Sequence, residues 1–219
     1  MTKKRLRPES WDDLTRRAVV RPLVTAAKGR QEQPDHVLLS GPPRLGKTAM
    51  ASLILAEIGD GKRAYAGQSS AEITVELYSL DGGEAIFVDE LHALRPEAAE
   101  VVQLAMEGAP IGGRVADPVP PWTLIGATTK LGQSEAPIRE GFGLHLALGY
   151  YSVEDIAQIA QRSAIKLGVE LQPTAAAEIA SRSRGVPRIA NRLLRRVRDV
   201  YDNPTPKQVN EVPRRAGRR

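Results

Sequence analysis

A chain of 219 residues with 31 lysines and arginines, 26 acids and no cysteine has room for a sizeable core in one or two domains. It excludes disulfide frameworks and thiolate metal sites. No apolar run approaches the roughly 20 residues of a membrane span. The basic start MTKKRLRPES lacks the apolar stretch of a signal peptide, and together these features predict a cytoplasmic protein. The net charge of +5 is unevenly spread. Residues 1–7 carry four basic groups and no acid, residues 182–219 carry twelve basic groups against three acids, and residues 8–181 are left with −8. Basic ends on an acidic core fit contact with nucleic acid, or solvated faces and a basic tail.

In chain order, residues 1–35 are polar and helix-prone, broken by Pro8 and Pro34. From 36 to 149 short apolar strands alternate with helices, the pattern of a parallel α/β sheet. Strands are predicted at 36–39, about 63–66, 85–89, 122–127 and about 144–149. The Gly- and Pro-rich stretch 108–121 is predicted as an irregular connection. After Tyr150 the strand signals stop. Ser152 to Asp155 forms a capping box that opens a helix with apolar period 3.6, ended by Gly168. Helices at about 174–183 and 187–201 complete a three-helix subdomain. The predicted domains are 1–150 (α/β), 151–203 (helical) and 204–219, a basic, loosely ordered tail with three prolines before its terminal arginines.

Chemistry enters at Gly41-Pro42-Pro43-Arg44-Leu45-Gly46-Lys47-Thr48, which fits the phosphate-binding pattern G-x-x-x-x-G-K-[ST] between a strand and a helix. The glycines let backbone N–H groups turn inward, and the helix from Thr48 through Ala49 presents its positive end to the same anion. Lys47 is expected to reach the outer phosphates of ATP and the Thr48 hydroxyl to ligate Mg²⁺. A second signal lies 48 positions beyond Gly41, where the apolar strand Ile86-Phe87-Val88 ends in Asp89 and Glu90. Adjacent carboxylates at the end of a buried strand need a cation nearby. Asp89 is expected to hold the metal's water shell and Glu90 to act as general base on the attacking water.

These motifs and several longer stretches resemble the RuvB-type AAA+ ATPases, motors of bacterial Holliday-junction branch migration. The matching stretches are Leu6-Arg7-Pro8, DHVLLSGPPRLGKT (35–48), IFVDELHAL (86–94), PPWTLIGATTK (120–130), Pro137-Ile138-Arg139 and SRSRGVPRIANRLLRRVRD (181–199). The resemblance implies an AAA+ P-loop fold with a three-helix lid, ATP and Mg²⁺ as cofactors, and a homo-oligomeric ring acting on branched or duplex DNA without sequence preference. Arg7 would lie near the adenine, and Thr129, beside Thr128, would be the polar sensor. Tyr151 would line the nucleotide pocket, and Arg188 would be the lid's sensor arginine. An alternative is a nucleotide-dependent switch or loader with little turnover.

Four departures from the family pattern bear on this reading. Arg44 replaces a glycine in the phosphate loop, where a side chain would either crowd the loop or add a phosphate contact. The family's Arg-Asp-Arg-Phe-Gly run reads Arg139-Glu140-Gly141-Phe142-Gly143. Gly141 thus replaces the arginine usually supplied to a neighbouring subunit, leaving Arg139 as the catalytic candidate. The stretch 107–121, where the family's partner-docking hairpin lies, is short, which argues against a RuvA-like partner. The chain ends where the family's winged-helix DNA-binding domain would begin. On the last helix Arg184, Arg188, Arg192 and Arg195 form a basic stripe opposite Ile189, Leu193 and Val197. Arg192, Arg195 and Arg196 are the candidates for phosphate contacts to DNA.

Overall fold

A computed structural model describes residues 6–14, 21–22, 25, 32–59, 62–65, 68–112, 118–133 and 136–213, with backbone only for 62–65, 133, 136 and 137. The contacts divide the chain into two compact units.

The α/β unit comprises 16–43 and 47–148. Its strands are β1 (Val37–Ser40), β2 (Lys62–Tyr65), β3 (Ala85–Asp89), β4 (Thr123–Thr128) and β5 (Leu144–Ala147). They form one parallel sheet in the order β2-β3-β4-β1-β5. The strands at the middle of the sheet are buried on both faces: all four residues of β1, all six of β4 and the first four of β3 are buried. That is why these strands read as unbroken apolar runs. At the edge, β5 alternates between partly buried and exposed residues. Four helices flank the strands in sequence: α1 (Lys47–Ile58), α2 (Ser70–Tyr78), α3 (Pro96–Met106) and α4 (Ala136–Glu140). Leu38, Ile73, Leu77, Ile86, Leu124 and Trp122 share one core cluster with α3 residues Ala98 and Val102.

Helix α2 starts at a capping box in which Ser69 and Glu72 satisfy each other's backbone N–H groups. Helix α3 starts with Pro96, a residue preset for the first helical position. The 108–121 connection is irregular wherever it is described, and 113–117 lie outside the described residues.

The helical unit comprises 1–15, 44–46 and 149–219. Helix α5 (Val153–Leu167) opens on the Ser152/Asp155 capping box and closes on Gly168 in the left-handed region, φ 72°. Helices α6 (Pro173–Ser183) and α7 (Pro187–Arg198) follow. Ile156, Ala160 and Ala164 of α5, Ala176 and Ile179 of α6, and Ala190, Leu193, Leu194 and Val197 of α7 are buried.

Three expectations are corrected in this unit. Residues 204–213 are not loose: Thr205 caps a short helix α8 (Pro206–Glu211), Val209 is fully buried, and buried Arg182 donates to the carbonyls of Val209 and Val212. Prolines there start the helix instead of breaking it. Residues 6–14 group with the helices and not with the sheet. Arg162 donates to the Asp12 carbonyl at 2.7 Å, Lys166 pairs with Asp13 at 2.8 Å, and Asn191 donates to the Leu6 carbonyl at 3.4 Å. Helix α7 ends at Arg198, with Asp199 capping it, and does not run to 201.

Candidate functional site

The sheet register brings the carboxyl ends of three strands together. Ser40 of β1 lies beside Thr128 of β4, and β3, which ends in Asp89, lies against the other side of β4. Parallel α/β sheets bind ligands at this edge. Here the chain leaves β1 through Gly41 with φ 133°, and a Cβ at that position would sit 2.1 Å from the Leu148 carbonyl oxygen. Only glycine fits, so the phosphate loop is pinned where it leaves the sheet.

Lys47, the first residue of α1, is buried, and its ammonium donates to the carbonyls of Gly41 (2.7 Å) and Pro42 (3.0 Å). Burial lowers its pKa from the ordinary lysine value, against the opposing charges of Glu90 and Asp89. Thr48 donates its hydroxyl proton to Asp89 Oδ2 at 3.0 Å, while Asp89 Oδ1 accepts the Glu90 N–H at 3.1 Å. Two hard oxygens from β3 and α1 are thus already side by side, a donor set suited to a divalent cation that keeps several waters. Among the described residues no cluster of three His or acidic side chains offers a fully protein-built metal cage.

Glu90 sits at the turn after β3 in the left-handed region, φ 54°. Its Oε2 accepts from the Thr129 hydroxyl at 2.8 Å and the Thr129 N–H at 3.3 Å. His92 Nδ1 lies 3.4 Å from the same oxygen and 3.0 Å from the hydroxyl of fully buried Thr128. The carboxylate and the polar residue at the end of β4 are therefore coupled directly. The sequence marks both residues but not this pairing, and it assigns no role to His92 although the matching stretch 86–94 contains it.

Arg44 is one of three non-glycine residues with positive φ among the described residues, at 70°, and its side chain is exposed. The left-handed region costs a residue with a Cβ about 1–2 kcal/mol. Its neighbour Leu45 is fully buried, and the Leu45 carbonyl accepts from the Tyr151 hydroxyl at 3.2 Å. Pro42 and Pro43 contribute no N–H donors to the loop.

Arg139 lies on α4, partly buried, and its Nε is buried with no hydrogen-bond partner among the described residues. Gly141 just beyond it is exposed beside a groove lined by Gln103, Met106, Glu107 and Glu140. A Cβ at 141 would approach the mobile end of Met106 to 2.7 Å.

In the helical unit Tyr151 is buried, and its N–H donates to Gly185 O at 3.0 Å. Gly185 has φ 69°, and a Cβ there would lie 2.7 Å from the Tyr151 carbonyl oxygen. Arg188, at the first turn of α7, is exposed, as is Arg192. Arg195 and Arg196 are partly buried, and Arg196 donates to the Pro213 carbonyl at 3.0 Å. Arg184 is not part of this stripe: it closes α6 in a left-handed conformation before α7 begins. Arg7 is exposed in the segment whose Leu6 carbonyl meets Asn191. No helix among the described residues is long and apolar enough to cross a membrane.

Comparison with known proteins bears on the family and the fold. The family described as Holliday junction DNA helicase RuvB P-loop domain matches residues 6–148, and the RuvB AAA lid domain matches 151–215. The chain is 43% identical over 213 residues to the Holliday junction branch migration complex subunit RuvB of Corynebacterium diphtheriae, covering 90% of this chain and 59% of the relative. For the protein of the same description in Lactobacillus johnsonii the figures are 45% over 191 residues, 82% and 56%. The chain thus spans less than two thirds of the length of these curated relatives. Among solved structures, the Thermotoga maritima RuvB Holliday junction branch migration motor superposes with a TM-score of 0.85 at 37% identity, covering 94% of this chain and 71% of that one. The chain belongs to the RuvB family, as an AAA+ P-loop domain followed by a RuvB lid.

Proposed function

We propose that this chain binds ATP with Mg²⁺ on the 41–48 loop and hydrolyses it, as one subunit of a homo-oligomeric ring that moves branched or duplex DNA in recombination and repair. The observation that carries the reading is the convergence of Lys47, the Thr48–Asp89 pair and the Glu90–Thr129 pair at one edge of the sheet. Loop N–H groups and Lys47 bind the phosphates. Thr48 and Asp89 fit the magnesium ion, which supplies charge neutralisation on the outer phosphate oxygens when bound. Glu90 orients a water molecule and takes its proton. The water oxygen forms a bond to the γ-phosphorus as the bond to the bridging oxygen breaks, giving ADP and inorganic phosphate. Thr129 holds Glu90 in place until the nucleotide is engaged. Arg139 is the remaining candidate for an arginine lent to a neighbouring subunit. Arg7 and Tyr151 serve the base and hinge side of the nucleotide, and Arg188 serves as the lid's sensor of phosphate.

Arg192, with Arg195 and Arg196, is the candidate DNA face on α7, through contacts that read no sequence. The cytoplasm, where DNA and ATP are both present, is the proposed compartment, and a RuvA-like partner is not part of the proposal. Gly141 favours a second reading, a nucleotide-dependent switch or loader with little turnover, because a missing arginine finger lowers phosphoryl-transfer rates by about 10³–10⁵. The deciding experiment is steady-state ATP hydrolysis with and without a four-way DNA junction across protein concentration. Turnover per subunit that rises with assembly and with DNA supports the motor. ATP binding with negligible turnover under every condition supports the switch.

A further inference from the structure

We propose that Arg44 is a catalytic arginine acting in cis: its guanidinium contacts the γ-phosphate of the ATP held by its own loop and stabilises the charge that develops during hydrolysis. The proposal rests on the ATPase reading above. It starts from a residue that the loop holds at a conformational disadvantage. Arg44 adopts φ 70°, a region that glycine occupies freely and an arginine does not. Such strain persists only where the surroundings fix the backbone, and they do so here. Leu45 is fully buried and its carbonyl is held by the Tyr151 hydroxyl, while Gly41 is pinned against Leu148.

The side chain gained for this strain has no structural employment. It is exposed and makes no hydrogen bond or ion pair among the described residues. Of the two other non-glycine residues with positive φ, Glu90 is bonded to Thr129, whereas Arg184, exposed like Arg44, closes α6 outside the phosphate loop. Arg44 lies three residues before Lys47, in a loop whose Pro42 and Pro43 supply no N–H. Its guanidinium brings five donors in a planar fork, the geometry that suits phosphate oxygens.

The alternative sources of a cation are weaker. Lys47 is buried and engaged with its own loop, Arg139 is partly buried, and Gly141 has no side chain to offer. In the reaction already described, with Glu90 taking the proton of the attacking water, Arg44 adds no bond and transfers no proton. It binds the γ-phosphoryl oxygens more tightly as their charge rises, and so lowers the barrier without tightening ATP binding equally.

The test is Arg44→Gly, which removes the guanidinium and relaxes the backbone. Thermal stability is expected to be equal or higher, the Mg·ATP dissociation constant to stay within a few-fold, and kcat to fall by about 10³-fold or more. Arg44→Lys, which keeps the charge and loses the fork, is expected to fall between the two. Unchanged kcat in Arg44→Gly overturns the proposal. So does a fall in kcat matched by lost stability, which would make the residue structural. Mixtures of Arg44→Gly chains with Lys47→Ala chains are expected to show no more activity than the separate variants, because a cis arginine cannot rescue a neighbour. Recovery in the mixture overturns the cis assignment. If wild-type turnover lies below detection, binding of ADP with magnesium and aluminium fluoride decides: wild type is expected to bind the complex at least ten-fold tighter than Arg44→Gly, and equal binding overturns the proposal. A wild-type chain that binds neither Mg·ATP nor ADP–aluminium fluoride removes the ATPase reading itself, and the role of Arg44 with it.

Discussion

Lowering the pH should destabilise this protein through one imidazole. His36 precedes β1, its Nδ1 accepts the Leu124 N–H at 2.8 Å, and its ring lies 5.1 Å from that of Trp122. Burial pushes its pKa from 6.5 down to about 4, against the opposing charge of Asp35. Protonation would also convert the acceptor of the Leu124 bond into a donor facing a donor. The folded state therefore favours the neutral ring, and between pH 6.5 and 4 the unfolded chain binds one more proton than the folded one. Stability from this group is complete above pH 6.5 and falls as the pH drops towards 4, with a slope near 1.4 kcal/mol per pH unit in mid-window. The total is about 3 kcal/mol, a large share of a domain's usual 5–15. Urea titrations from pH 7.5 to 4 on the wild type and on His36→Gln measure it. Carboxylates common to both chains cancel in the difference, and the glutamine carbonyl retains an acceptor for Leu124. The wild type should lose about 3 kcal/mol more than the variant over that range. Parallel stability curves would refute the reasoning.

At an Mg·ATP concentration 100-fold above the dissociation constant, the fold should gain about 2.7 kcal/mol. Lys47→Ala should abolish the thermal shift, and an undiminished shift would remove Lys47 from the site. Glu90→Gln should bind ATP and hardly turn it over; phosphate release at the wild-type rate would assign the base elsewhere. Gly185→Ala should cost roughly 2 kcal/mol or more, because it forces a left-handed alanine whose Cβ meets the backbone of Tyr151. Calorimetry on the lid's transition would expose the error if stability stayed level. Arg182→Leu should leave two buried carbonyls without their charged donor and render 203–213 sensitive to limited proteolysis; equal protection would deny that Arg182 ties the segment down.

What could be read from the sequence was what is local. Gly41 to Thr48, the strand ending in Asp89 and Glu90, and the Ser152/Asp155 box each carry their cause within a few residues, through turn glycines, strand burial and reciprocal capping. Strand boundaries shifted by a residue or two because apolar runs do not mark where ladder hydrogen bonds begin. The Glu90–Thr129 bond joins residues 39 apart, and the Leu6–Asn191 contact joins residues 185 apart, so neither has any local signature. Helix α8 was hidden by proline content, because Pro206 reads as a breaker until Thr205 is recognised as its cap. Arg184 fitted the helical spacing of the basic stripe, but the spacing cannot reveal the Gly185 turn that separates it from α7.

The docking of residues 6–14 onto α5 and α7 has a consequence for how the protein is made. These residues are synthesised well before their partners Arg162 and Lys166, which lie about 150 positions later. At usual synthesis rates of about 5–20 residues per second that is a wait of roughly 8–30 s. The sheet, whose strands end at Ala147, can be complete before Arg162, Lys166 and Asn191 exist. The helical unit, by contrast, joins segments 185 residues apart and closes only after translation has passed Asn191. Removing the first dozen residues should therefore weaken the helices at the far end of the chain more than the sheet that follows them in sequence.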